Sequence, residues 1–482
     1  MSWTIAMYGL VFLTVAFAIT SLMRKRKDAT TGPLREYLLA ANELPRLRVL
    51  NLLWAASFSV NGMLYQTYLG YKIGFWALLT QAAWALSFYW LSRYTERIRS
   101  SDGLHGALGA KFHPSLKPIA AVFSILSAMA LIGWEFNVLQ STFRGLIPSG
   151  PTKSMDQGSL IALGIVFSCV FYTILGGMRA NALADIIQSF LKVLGFSLLL
   201  ILLYVNLTKP GASHFEKLPD FDQAIAVLTL GGLLTNLAFS LTWQFVDMST
   251  WQSVVSGKAS ATTSQSAKDL RRAGFMTFVA PGVLGTLLGI FLMPTAGVDE
   301  GNGLAKAIEA LQPLGAVTSF LIFLAIASCA MSMIDGLLLV SGFTLIVDVF
   351  YRKKTLTEID SDRDSAFKIL GIVRLAFVVL AAFGVAGVST IMRSLGLAEF
   401  MILYVIVVPA LALFGPVFLM LLGKTSRSRS VTFVPVFAAL VGVSFIAGGE
   451  KYAQWAGTAT LLFSLILTYL ICLKGSDISN QT

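Results

Sequence analysis

Ser328, Ser332 and Asp335 lie in the run A-S-C-A-M-S-M-I-D-G-L-L-L-V-S, from Ala327 to Ser341, inside an apolar segment long enough to cross a bilayer. Ser332 and Asp335 are three residues apart and share one face of a helix. A hydroxyl beside a carboxylate at that depth can bind a cation or pass a proton. An ionisable group at mid-membrane costs about 2.5–3.5 kcal/mol on insertion scales, so Asp335 is a functional candidate by default. Serines in membrane helices often bond only to their own backbone, and the weight therefore rests on the carboxylate. A second pair, Asp185 and Gln188, stands one turn apart in G-G-M-R-A-N-A-L-A-D-I-I-Q (176–188). The plainer reading of Asp185 is an interfacial carboxylate held by Arg179. A third acid, Glu135, sits mid-segment in L-I-G-W-E-F-N-V-L-Q, beside Trp134 and near Asn137. It is either paired with Arg374 or Lys192, or a site for a substrate ammonium group or a proton.

Two segments read as interrupted helices. A-S-F-S-V-N-G-M-L-Y-Q-T-Y (56–68) carries Asn61, Gly62 and Gln66, and S-L-T-W-Q-F-V-D-M-S-T-W-Q (240–252) carries Ser240, Trp243, Gln244 and Asp247. Paired breaks in two halves of a membrane protein are where unwound carbonyls meet a cation and half-helix ends face a solute. An aromatic such as Trp243 is more often packing than gate.

The elements that must hold these residues follow from composition. Of 482 residues, 56% are hydrophobic and 13% charged, far from a soluble domain. Thirteen apolar segments are expected: 3–23, 48–66, 73–93, 118–143, 158–175, 183–206, 228–250, 273–293, 315–349, 367–389, 399–423, 431–449 and 453–473. The first is followed, not preceded, by its positive charges, Arg24 to Lys27, and reads as a retained span rather than a signal peptide. If its N-terminus is outside, loops facing the cytoplasm carry 21 Lys and Arg against 7 in the others, which selects N-out and C-in. The net charge of +11 has the same origin and implies contact with anionic lipid rather than nucleic acid.

Cys169, Cys329 and Cys472 all fall in apolar segments at spacings unsuited to a metal or disulfide framework. His105, His113 and His214 are scattered. No Ser/His/Asp arrangement or phosphate-binding glycine loop is visible in the sequence, and an enzyme is not expected.

Five segments together carry a resemblance over nearly the whole chain: E-Y-L-L-A-A-N-E-L-P (36–45), Y-T-I-L-G-G-M-R-A-N-A-L-A-D-I-I-Q (172–188), W-Q-S-V-V-S-G-K-A-S (251–260), S-C-A-M-S-M-I-D-G-L-L-L-V-S (328–341) and F-G-P-V-F-L-M-L-L (414–422). The chain resembles the sodium:solute symporter family. The resemblance implies an all-α polytopic membrane protein of about 13 helices with a LeuT-like core of two five-helix inverted repeats. Those repeats fall at 48–206 and 228–423, with one extra span (3–23) before them and two (431–473) after, in a single membrane domain. It implies a sodium site built from backbone carbonyls at Ser57 and Val60 and the hydroxyl of Ser332. Met333 stands in the family's second hydroxyl position and Cys329 one turn earlier, and neither is an oxygen donor. Ala184 replaces a threonine beside Asp185, the residue the family links to cation binding or gating. Trp243 and Gln244 match positions lining the substrate cavity, and Gln81 is placed within its reach.

The expectation is a secondary active transporter in the plasma membrane, sodium-coupled, carrying a small polar organic solute by alternating access. Its site would lie between the segments that begin at 48, 118, 228 and 315, and no cofactor beyond the coupling ion is expected. Should the ion site be lost, a facilitator or a proton-driven carrier using Asp185, Asp335 or Glu135 remains. A membrane sensor that keeps the fold without transporting is the reading from another class.

Overall fold

Inside a bilayer every backbone N–H and C=O must bond within the protein, so long apolar runs without turn residues become helices. The computed structural model describes residues 2–22, 32–147, 156–209, 218–258, 262–299, 301–311, 314–388, 390 and 399–479, and among them the only extended pairing is an isolated bridge between Leu44 and Gly257. In chain order the helices are α1 (Trp3–Leu22), α2 (Pro33–Leu39), α3 (Arg46–Ala55), α4 (Val60–Ile73), α5 (Leu78–Leu91), α6 (Thr95–Arg99), α7 (Leu104–Lys111), α8 (Leu116–Leu146) and α9 (Gln157–Leu207). They continue with α10 (Phe221–Leu228), α11 (Leu230–Val246), α12 (Met248–Ser256), α13 (Thr263–Thr277), α14 (Gly285–Leu292), α15 (Gly303–Glu309), α16 (Ala316–Phe343), α17 (Leu356–Asp360) and α18 (Arg363–Ala382). Glu399–Ala412, Phe414–Leu421, Val434–Ala447, Glu450–Ala453 and Ala456–Ser479 follow.

Among the described residues, eight helices are long and apolar enough to cross a membrane, or nine if α10 is counted with the chain from Leu230 to Ser256, to which it is bent by 87°. The expected thirteen segments map onto fewer intact rods for local reasons. Segment 48–66 is divided between α3 and α4 by the non-helical stretch around Phe58, and 399–423 is divided at Leu413. Segments 158–175 and 183–206 run together as the 51-residue α9, whose only non-helical residue is Gly177 (φ +60°). A side chain there is doubly barred, because a Cβ would stand 2.5 Å from the Tyr37 carbonyl oxygen. Pro281 sits in a wide turn at Phe278–Leu284 that joins α13 to α14.

The centre of the molecule is α16 against α9, with α8 and α3 beside them. Twenty-two residues of α16 are buried, whereas α1 turns Tyr8, Val11, Phe12, Val15 and Ile19 outward, as a lipid-facing helix does. α1 is fastened to α9 by Thr14 and Ser168, whose hydroxyls are 2.6 Å apart, and by Phe17 against Tyr172. The bend at Gly177 receives α2: the Tyr37 hydroxyl donates to the Thr173 carbonyl at 2.6 Å, and Arg179 donates to Glu36 at 2.8 Å. From there residues 42–44 reach the far end of α12, where Asn42 donates to the Val255 carbonyl and Leu44 N–H to the Ser256 carbonyl.

α4 and α14 cross without side chains between them. A Cβ on Gly289 would lie 2.0 Å from the Thr67 carbonyl oxygen, and one on Gly70 would lie 2.4 Å from that of Thr286. Such small-residue crossings let membrane helices meet backbone to backbone. Gly289→Val is therefore expected to destabilise the protein by on the order of 1–3 kcal/mol or more. Thermal melting of the purified variant in detergent measures this, and a wild-type melting curve would refute the close crossing.

Candidate functional site

The two interrupted segments meet at the middle of the molecule. After α3 the chain unwinds through 56–59, and α4 begins with Ser59 as its N-cap, the hydroxyl accepting from Gly62 N–H at 3.1 Å. The first N–H groups of α4 are also claimed from another helix: Glu135 of α8 accepts Val60 N–H at 2.8 Å and Asn61 N–H at 3.0 Å, one on each carboxylate oxygen. α11 stops at Val246 and α12 begins with Asp247, whose carboxylate accepts the N–H groups of Ser249 and Thr250, both at 3.0 Å. Thr250 also donates to Gln244 at 2.6 Å. Both second half-helices thus start on a buried carboxylate, which satisfies free N–H groups and the positive end of the helix dipole.

Between the breaks lies a cavity with about 110 Å³ open to the centre of a water-sized molecule, room for several waters or a small solute. Its apolar wall is Tyr65, Trp84, Trp134, Phe239 and Trp243. The Trp84 and Trp243 rings stack with centroids 6.2 Å apart, and Trp84 donates to the Ser57 hydroxyl at 3.3 Å. Ser57, Asn61, Gln81, Asn236 and Ser240 supply polar groups, and Met333 and Leu337 close the α16 side. Two buried donors here have no hydrogen-bond partner, Asn61 Nδ2 and Trp134 Nε1. Among the described lining residues none is Lys or Arg, and the one carboxylate, Asp247, is engaged as a cap.

Of the residues expected to meet a solute, Asn61, Gln81, Ser240 and Trp243 line this cavity. Gln66, Gln244 and Glu135 do not. Gln66 is fully buried, donating to the Ala77 carbonyl and the Thr286 hydroxyl and accepting from Gln81. Gln244 braces the α11–α12 break, and Glu135 caps α4. Arg374, one expected partner of Glu135, lies instead over the Tyr37 ring at 5.4 Å. Arg179 reaches Glu36 and Glu43 rather than Asp185.

The residues expected to hold a cation gather in a second, drier cluster behind the cavity. Asp335 accepts a short hydrogen bond from the Tyr172 hydroxyl, which itself accepts from Gln188 at 3.3 Å. One oxygen of Asp335 and one of Asp185 are buried without a partner, as is the Gln188 carbonyl oxygen. Lys192 completes the group. Wholly buried, its ammonium donates to the Ala55 carbonyl at 2.9 Å and, in a short bond, to the Ser332 hydroxyl. Ser332 in turn donates to the carbonyls of Cys329 and Ala55 at 3.2 and 3.3 Å. Lys192 and Tyr172 were not singled out as site residues in the sequence. The signal was nevertheless present, since Asp185, Gln188 and Lys192 are spaced 3 and 4 apart and so form one face of α9.

No protein-family model matches the sequence, and no curated protein does. Solved structures do. A substrate-bound, outward-open Na+-coupled sialic acid symporter is similar over 97% of both chains, at 16% identity and a TM-score of 0.70. Mhp1, a nucleobase-cation-symport-1 family transporter in a closed conformation with bromovinylhydantoin bound, covers 94% of this chain with 96% of its own at 12% identity and a TM-score of 0.56. A mutant manganese transporter of Eremococcus coleocola covers 95% with 98% of its own at 13% identity and a TM-score of 0.51. The fold is LeuT-like.

In this LeuT-like frame the fit of a sodium ion to Ser57, Val60 and Ser332 can be tested. A hard cation needs a set of free oxygens. Here the Ser332 hydroxyl and the nearby Ala55 carbonyl, which ends α3 two residues before the assigned Ser57 carbonyl, hold the Lys192 ammonium. Met333 faces the central cavity rather than these oxygens. Of the assigned donors, the Ser332 hydroxyl, the only side-chain oxygen, is thus taken by Lys192 and does not serve sodium while the ammonium stands there.

One arrangement was invisible in the sequence. His105 Nδ1 lies 2.9 Å from Asp348 and His105 Nε2 2.9 Å from the Ser124 hydroxyl, with Lys117 3.2 Å from the other Asp348 oxygen. The cavities beside Ser124 and His105 have only about 10 and 20 Å³, while Lys117 and Asp348 border a wider cleft of about 390 Å³; the cluster ties α7 and α8 to the turn at Thr344–Phe350.

Glu135→Ala would free two buried N–H groups at a cost of on the order of 1–3 kcal/mol each. Glu135→Gln keeps one acceptor and is expected to melt between Glu135→Ala and wild type. Equal melting temperatures for all three proteins would remove the cap from this account.

Proposed function

We propose that this protein is a secondary active transporter of the sodium:solute symporter family, carrying a small polar organic solute across the plasma membrane by alternating access. The observation that carries the proposal is the aromatic-walled cavity at the meeting of two broken helices, each restarted by a buried carboxylate. A solute there displaces few waters and meets half-helix ends whose backbone groups are already satisfied, so the two breaks are free to act as hinges. The two repeats are assigned to 48–206 and 228–423, each beginning with a broken helix, and the positive-inside count orients the chain N-out and C-in.

The lining narrows the solute. The unpartnered groups, Asn61 Nδ2 and Trp134 Nε1, are donors, so the solute presents acceptor oxygens or nitrogens to them. The stacked Trp84 and Trp243 suit a flat or aliphatic portion. With no Lys or Arg among the described lining residues, a carboxylate would lack a counter-charge, which favours a neutral or cationic solute.

Sodium, named for the sialic acid symporter, would need Lys192 to leave the Ser332 hydroxyl, whereas a proton can use Asp185 or Asp335, each with a buried oxygen that has no hydrogen bond. A sodium ion moving down ~100 mV and a tenfold gradient gains roughly 2.3 plus 1.4 kcal/mol.

Counterflow of radiolabelled neutral and cationic solutes in proteoliposomes, guided by a thermal-shift screen for ligands, tests the function. Trp243→Ala is expected to weaken solute binding about tenfold, or about 1.4 kcal/mol, with folded yield unchanged. A chain that binds a solute and never exchanges it would be a sensor. Asp185→Asn is expected to lower transport far more than it lowers folded protein, and wild-type transport in that variant would take the residue out of the mechanism. Because all three natural cysteines are buried, Lys354→Cys should react with an impermeant thiol reagent only from the cytoplasm and Lys451→Cys only from outside. The opposite labelling would invert the topology.

A further inference from the structure

Among the described residues Lys192 is the only buried Lys or Arg, and it lies on the face of α9 turned to α3 and α16. Its ammonium meets the Ala55 carbonyl, where α3 unwinds, and the Ser332 hydroxyl of α16. The Phe58 ring lies 5.7 Å away. The ionisable groups that face it are Cys329 and Asp335 from α16, Asp185 from its own helix and Glu135 from α8. The Ser332 hydroxyl is the side-chain donor the sequence resemblance assigns to sodium, and Ala55 ends α3 just before the unwound stretch that carries the assigned Ser57 carbonyl. Both are held here by a positive charge covalently attached to the protein.

We propose that Lys192 is a tethered cation standing in the place of the coupling sodium, so that α3, α9 and α16 are joined at this point without any ion from solution. Three features support it. The ammonium and a sodium ion would compete for the Ser332 hydroxyl. The hydroxyl it binds is the one side-chain oxygen left in a position where Met333 and Cys329 offer sulfur. The nearby acids Asp185, Asp335 and Glu135 interact electrostatically with the ammonium without pairing with it directly, which favours a fixed positive charge at this point. The geometry is independent of the transport reading, and only its consequence, sodium-independent solute movement, rests on that reading.

The test uses the purified full-length protein, melted in sodium chloride and in choline chloride at matched ionic strength. Wild type is expected to give the same melting temperature in both salts. Lys192→Ala uncovers the oxygens and is expected to gain a saturable, sodium-specific rise of several degrees, which the added Ser332→Ala removes. Lys192→Met, which keeps the stem, is expected to stay insensitive. A saturable sodium-specific rise in wild type overturns the proposal, and so does a Lys192→Ala protein that melts identically in the two salts. The wild-type arm needs no variant and decides the matter if Lys192→Ala does not fold. Solute counterflow in the two media separates the two readings: exchange at equal rates in choline supports both, exchange only in sodium overturns the tethered cation alone, and exchange in neither overturns transport while the melting comparison stands.

Discussion

A helix that stops inside a membrane leaves free N–H groups and a dipole end where no water can reach them, and each such group must be met by the protein. Here Glu135 of α8 meets the start of α4, and Asp247 meets the start of α12. The rest of the centre depends on this. With the breaks satisfied, the unwound residues 56–59 and the α11–α12 junction can turn their side chains to a shared cavity instead of collapsing into continuous helix. Glu135 acts across helices and so also fixes α8 against α4, which brings Trp134 to the cavity wall. The two acids most easily taken for ligand groups are thus spent on backbone, and the free chemistry of the cavity is left to neutral donors and aromatic rings.

Behind the cavity, α9 carries a polar face of Asp185, Gln188 and Lys192 packed against Tyr172, Ser332 and Asp335. Charges here are arranged by depth. Lys192 is bound closely to oxygens of α3 and α16, while one oxygen each of Asp185 and Asp335 has no hydrogen bond. A wall of side chains, Met333 among them, separates this cluster from the solute space, so cation chemistry and solute chemistry occupy adjoining compartments sharing α16.

Much of this was legible in the sequence. Apolar length announced the membrane, the N-G and Q-F-V-D segments announced the breaks, and Asn61, Gln81, Ser240 and Trp243 lie on the wall of the central cavity. Gln66, Gln244 and Glu135 turn away from it, because a buried polar side chain looks the same in sequence whether it faces a ligand, as none of these does, or other protein groups: the α4 N–H groups for Glu135, the Thr250 hydroxyl for Gln244, and Ala77, Thr286 and Gln81 for Gln66. The Ser124–His105–Asp348 chain was hidden because its members are 19 and 224 or more positions apart. The segments 158–175 and 183–206 fall on the two arms of α9 that meet at the Gly177 kink, where a hydropathy window cannot tell a bent helix from two separate ones.

The crossing of α4 and α14 has a further bearing on how this molecule can move. Two helices whose backbones touch at Gly70 and Gly289 have no side chains to slide over, so they behave as one rigid strut. If the upper half of the first broken helix swings, α14 must travel with it, and the flexure is passed to the wide turn at Pro281 that joins α14 to α13. The proline, by withholding one backbone hydrogen bond, is then the joint of a crank whose moving arm is α14 together with α4, the helix whose Asn61, Gly62 and Tyr65 border the cavity.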